Sequence, residues 1–193
     1  MYALVESGTI TKYFNNPRGF MLGDVQYSSD IFMKWSVEEK TAIGIHEVIF
    51  DDSNRKDGQW YINTNQTFVF ANNIVTASYG TATPIAHADV TETINGVEST
   101  TLGLKTNLIK DLKLNVANEL AKTDWYITRK TEKSTAIPSA ISTHRDLVRS
   151  RQVSIEAQII GAADTAALET LHTYTTTDGV QSRPLGELPV LES

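Results

Sequence analysis

The hydrophobic period of this chain changes once, near residue 102, and that change limits its architecture more than any other feature. Up to about Pro84 the apolar residues come in short runs bounded by Gly, Asn, Asp and Pro, as strands and tight turns require. Beyond it Leu104, Leu108, Leu112, Val116 and Leu120 recur at every fourth position. Ile109 and Ala117 widen that stripe, while Lys105, Lys110, Asp111, Asn118 and Glu119 are expected to face away. The expected class is therefore α+β: a small N-terminal β-rich domain with an antiparallel sheet, followed by a helical hairpin and an extended C-terminal tail. The domain boundaries expected from composition are 1–84 for the β-rich part, 85–101 for a linker, 102–172 for the helices and 173–193 for the arm.

Within the first part, residues 2–5 and 9–14 read as a hairpin turned by Ser7-Gly8. The runs 43–50, 67–70 and 74–79 are further strands, rich in β-branched and aromatic residues, the last entered through an Asn72-Asn73 turn. Glu38 and Glu39 fall near the start of a short helical turn. The polar stretch 51–58 connects two strands; counted as a calcium loop from Asp52, it has Asp57 at the sixth position and Asn63 at the twelfth, where an EF-hand needs Gly and Glu. A solvated loop is the expectation. Residues 81–101, with Pro84 and Asn95-Gly96, read as a linker or a two-stranded excursion.

In the second part, a helix is expected from Pro138, whose missing N–H costs nothing in a first turn, through Gln152 and onward. Its apolar side is expected to hold Ile141, Leu147, Val148, Ile155 and Ile159. Two antiparallel helices would bury their stripes against each other, with Trp125 and Tyr126 of a compact aromatic corner filling the end of the joint. A further helix is expected over 165–172, and the Gly- and Pro-bearing stretch 175–193 as an extended arm that gains order from a neighbour.

Composition removes several function classes. The chain has 193 residues and no cysteine, so disulfide scaffolds, thiolate metal sites and cysteine nucleophiles are excluded. Its net charge of −6, with no basic block, argues against nucleic-acid binding. No window is apolar enough to span a bilayer, and the first residues do not resemble a signal peptide, so a chain that stays in the cytoplasm where it is made is the expectation. His46, His87, His144 and His172 are dispersed, without the spacing of a zinc site. There is no Gly-x-Gly-x-x-Gly loop and no Gly-x-Ser-x-Gly elbow, and the carboxylates Glu38-Glu39, Asp51-Asp52 and Glu187 are not arranged as an acid–base pair. The expectation is a protein that is not an enzyme and uses no cofactor and no metal. Trp35, Trp60, Tyr61, Phe68, Phe70 and Tyr79 are either core residues or a surface on which a sugar could stack.

One segment carries more. Asp124-Trp125-Tyr126-Ile127-Thr128-Arg129, then Glu132, Ile137-Pro138, Ile141, Arg145 and Arg149, spans about 26 residues. It resembles a recurrent stretch of tailed-bacteriophage proteins, the tail assembly chaperone-like and tail-fibre-associated family. The pattern there is Asp-Trp-Tyr, a hydrophobic residue and an Arg, then an acidic residue, Ile-Pro and a helix with two arginines four apart. The first half resembles, more faintly, the β-rich leader of some phage tail proteins, through Trp35 and the strand 43–48. The resemblance implies a non-enzymatic part of the virion: a tail, neck or fibre-attachment protein contacting other particle proteins, as a homo-oligomer or ring, without nucleic acid or membrane. A fibre assembly chaperone absent from the mature particle, and an acidic receptor- or glycan-binding module, are the alternatives. Residue by residue, Arg145 and Arg149 lie one helical turn apart, so both guanidinium groups would reach a common carboxylate, Glu132 or Asp124, with Trp125 packed beneath. Such a clamp either stabilises the helix pair or recognises an acidic segment of a partner. The candidate structural and partner-binding residues are Asp124, Trp125, Tyr126, Arg129, Glu132, Pro138, Arg145 and Arg149.

Overall fold

The structure, a computed structural model, describes residues 1–191 and divides into two compact units, Met1–Thr83 and Pro84–Ser193. The class is α+β, with a mixed β-sheet in the first unit and helices in the second.

The first unit opens with β1 (Tyr2–Glu6) and β2 (Thr9–Phe14), then the small hairpin β3 (Phe20–Leu22) and β4 (Val25–Tyr27). Two short helices follow, α1 (Ile31–Lys34) and α2 (Val37–Ala42). Ser36 and Glu39 close a capping box on α2: the Glu39 backbone N–H donates to Ser36 Oγ, and the Ser36 N–H donates to Glu39 Oε2. The chain continues as β5 (Ile45–Asp51), β6 (Tyr61–Ile62), β7 (Gln66–Ala71), β8 (Ile74–Tyr79) and β9 (Thr83–Pro84), which bridges to β6.

The principal sheet has the order β2-β1-β5-β8-β7. It is not wholly antiparallel, as the sequence had suggested, because β5 and β8 run parallel. The stretch after β5 carries the chain to the far edge, where β7 runs before β8 turns back between β5 and β7. That placement buries Val75 and Ala77 completely, which an edge position would not. Each sheet face carries one packed cluster, while Ile49 and Val69 stay exposed. Leu4 and Ile45 join Phe14, Phe20, Ile31 and Phe32 on one side, while Ala3, Val5, Val48, Val75 and Ala77 pack with Ile10, Phe68 and Phe70 on the other. The sheet curls until Tyr13 of β2 meets Phe68 of β7 with ring centroids 4.8 Å apart, making a half-barrel. Trp60 is buried at 3% exposure, Trp35, Phe68 and Phe70 are half-buried and pack against these two clusters, and Tyr61 and Tyr79 are half-buried.

In the second unit the stretch expected as a linker holds an exposed ribbon, β10 (Val90–Ile94) and β11 (Val97–Thr101), turned by Asn95-Gly96 with φ of 53° and 79°. The helices are α3 (Leu104–Ala121), α4 (Asp124–Lys133), α5 (Ser139–Gly161) and α6 (Thr165–His172). The start of α3 is met by the preceding loop: Gly103 N–H donates to Asp89 Oδ1 at 2.8 Å, and the Leu104 and Lys105 N–H groups donate to the Ala86 and His87 carbonyls. A Cβ on Gly103 would lie 2.4 Å from the Ala88 backbone, so only glycine permits that approach.

The helices α3 and α5 pack through Leu112 and Val116 against Ile141, Val148, Ile155 and Ile159. Leu147, expected in this stripe, is 52% exposed. The buried line on α5 runs 141, 144, 145, 148, 155, 159, and position 147 lies well off it at 100° per residue. Two places in the line are taken by His144 and Arg145 instead of apolar residues. The arm expected to be extended begins with a hairpin, β12 (Thr175–Thr177) and β13 (Val180–Ser182), and then folds back on its own helices. Leu185 is buried, its N–H donates to the Leu171 carbonyl, and Arg151 donates from Nη2 to the Leu185 carbonyl and from Nε to that of Glu187. No helix among the described residues is long and apolar enough to cross a membrane.

Candidate functional site

Five of the eight residues singled out in the sequence, Asp124, Trp125, Tyr126, Arg129 and Arg145, gather where α3, α4 and α5 meet, and they divide into an inward lock and an outward ledge. The lock is Arg145, 8% exposed. Its Nη1 donates toward three acceptors: the Leu120 carbonyl at 2.7 Å, Thr123 Oγ1 at 2.7 Å and Asp124 Oδ1 at 2.8 Å. One nitrogen carries two hydrogens, so these bonds share donors, and together they bind the end of α3, the corner residue Thr123 and the first residue of α4 to α5. Thr123 is itself buried and donates from Oγ1 to the Leu120 carbonyl.

One turn deeper, Glu119 and His144 are buried together, with Nε2 of the histidine 3.2 Å from Oε1 of the glutamate. Glu119 was expected to face solvent. Its side chain turns inward instead, because His144 on α5 and Lys122 one turn on, which donates to Oε2, answer both carboxylate oxygens. The Lys122 hydrogen bond outweighs the opposing effect of burial, and the charges of Lys122 and His144 add to it, so the Glu119 carboxyl is held below its ordinary pKa. Glu119, Thr123 and His144 are members of the cluster that sequence reasoning missed. The usable signal was the break in apolar pattern at 144 and 145 within an otherwise apolar line.

The ledge is on α4. Trp125 is 52% exposed, so it does not fill the helix joint as expected; the Arg145 guanidinium occupies that place. The Trp125 and Tyr126 rings sit with centroids 3.8 Å apart, and the Arg129 guanidinium lies 4.7 Å from the first and 5.2 Å from the second. The Arg129 Nε is shielded by this stacking and has no hydrogen-bond partner among the described residues.

The remaining candidates are scattered. Glu132 stays exposed on α4, and Pro138 caps α5, with its carbonyl accepting from the Ile141 and Ser142 N–H groups. Arg149 does not share a carboxylate with Arg145; it pairs with Asp146 on its own helix at 3.2 Å, largely exposed. The expected double-arginine clamp is thus a single-arginine clamp, because Arg149, four residues on, points past the corner that Arg145 fills.

Elsewhere in this unit an apolar cavity of about 470 Å³ lies between α3, α5 and the C-terminal segment, walled by Leu108, Leu112, Ile155, Ile159, Leu185 and Leu188. At its rim Arg183 and Glu187 pair at 2.7 Å, near His172. Burial lowers the His172 pKa below its ordinary value; the Leu168 carbonyl opposes this, the Arg183 charge adds to it, and Glu187 opposes it. No group of three histidine or carboxylate side chains suited to a metal ion occurs among the described residues. Comparison with family models, with curated proteins and with solved structures finds no match.

Proposed function

We propose that this chain is a non-enzymatic structural component of a bacteriophage virion, a tail, neck or fibre-attachment protein that joins neighbouring particle proteins. The observation that carries the reading is the division of labour within the segment resembling phage tail proteins. Asp124 and Arg145 fix the helix corner internally, and Trp125, Tyr126 and Arg129 remain on the surface as a preformed aromatic and cationic patch. Such a patch has little use in a molecule without partners, since exposed tryptophan and stacked arginine are the residue types that anchor protein interfaces. Self-association into a homo-oligomer or ring belongs to the same reading.

The test is mass spectrometry with copy-number estimation on purified phage particles whose genome encodes the chain, set against infected-cell lysate. Stoichiometric presence in the particle is expected. Presence in lysate alone, bound to fibre protein, would overturn this reading in favour of an assembly chaperone.

A further inference from the structure

The helix α4 is unusual in its own unit: ten residues long, with none of them buried, although it carries Trp, Tyr and Ile. An isolated helix of this length is marginal in water. It is held at its N-terminal end by the Asp124–Arg145 bond and stopped at the other by Ser134, whose φ is +51°. Along it, Trp125, Arg129 and Lys133 lie four apart, and Tyr126 and Lys130 form a second line beside them, so the rings and cations share one face.

The charge of that face opposes the charge of the chain. The whole protein carries −6, whereas α4 presents Arg129, Lys130 and Lys133 against Glu132 alone, because the Asp124 carboxylate is engaged by Arg145. The Arg129 guanidinium lies within 5.2 Å of two ring centroids, and a guanidinium placed against aromatic rings offers its fork to a carboxylate with less ordering left to lose.

We propose that the α4 face docks an acidic peptide segment of a partner protein, its carboxylates on Arg129, Lys130 and Lys133 and an apolar side chain against Trp125 and Tyr126. This rests on the reading of the chain as a protein that joins others, and names the chemistry of what it joins. Single-stranded nucleic acid also stacks on aromatic and arginine surfaces, but the strongly negative chain around a patch of three cations opposes a polyanion far more than a short acidic segment.

The experiment is fluorescence anisotropy with the full chain and three labelled probes: a short synthetic peptide of Glu and Leu in a Gly-Ser background, its twin with Gln for each Glu, and a short oligothymidylate. The Glu peptide is expected to bind, its Gln twin about tenfold more weakly or not at all, and Trp125→Ala and Arg129→Gln each to weaken the Glu peptide about tenfold. Both variants alter exposed or half-exposed side chains and are expected to keep the wild-type melting temperature. The proposal is overturned if the Glu peptide does not bind, if its twin binds as well, if neither variant weakens it, or if the oligothymidylate is preferred. Failure here leaves the particle mass spectrometry untouched, and absence from particles leaves the peptide result standing, so the two readings fail separately.

Discussion

Replacing Arg145 by Met tests whether one guanidinium sets the corner of the helical unit. Methionine keeps the apolar stem and removes only the charged head, so the loss is confined to the bonds from Nη1. Those bonds are unequal. The Leu120 carbonyl also accepts from the Thr123 N–H and hydroxyl, so it keeps partners, while Thr123 Oγ1 loses a charged donor in a buried position. The two buried charge-assisted bonds together are worth about 2–3 kcal/mol after sharing of hydrogens. The Asp124 carboxylate is 60% exposed and adds under about 1 kcal/mol. The expected loss is therefore about 3 kcal/mol. With a urea slope of about 1.5 kcal/mol per molar for a unit of this size, the midpoint falls by about 2 M. Most helical residues lie in the second unit, so circular dichroism at the helix band reads the relevant transition. Arg149→Ala, which removes an exposed pair within one helix, should stay within about 0.5 kcal/mol of wild type. A loss below about 1 kcal/mol for Arg145→Met, or an equal loss for Arg149→Ala, would refute the single-arginine clamp.

Further expectations concern both units. Gly44 has φ of +79° and a Cβ there would lie 2.5 Å from the Val5 carbonyl oxygen, so Gly44→Ala should destabilise the β-rich unit by about 1–3 kcal/mol in thermal melts. Trp60→Ala should cost about 3–5 kcal/mol by the same measurement; a variant of unchanged stability that loses binding on a glycan array would instead support the sugar-binding alternative. Because the folded His172 has a lowered pKa, the unfolded chain takes up its proton first as pH falls below about 6.5. Stability should decline from there until the pH has passed the folded value, and His172→Asn should flatten urea midpoints across that window.

What could be read from the sequence was local. The turns Ser7-Gly8, Asn72-Asn73 and Asn95-Gly96 adopt positive φ, which Gly and Asn tolerate better than other residues. The α6 helix follows its Asp164 cap, whose carboxylate accepts from the Ala167 N–H, and α3 follows its fourfold stripe. What escaped was every choice that depends on a distant partner. The parallel pairing of β5 with β8 is decided by which neighbours bury Val75 and Ala77, and nothing in either strand alone encodes it.

The candidate site shows the same division. Sequence determined that Asp124, Trp125, Tyr126, Arg129 and Arg145 would lie near a helix corner, since spacing along helices fixes which residues share a turn. Only the tertiary structure decided that Arg145 turns inward and Trp125 outward, and that Glu119 is buried. A charged side chain enters a core wherever acceptors await it, and those acceptors, the Leu120 carbonyl, Thr123 and Asp124, belong to elements that meet α5 only in the folded chain.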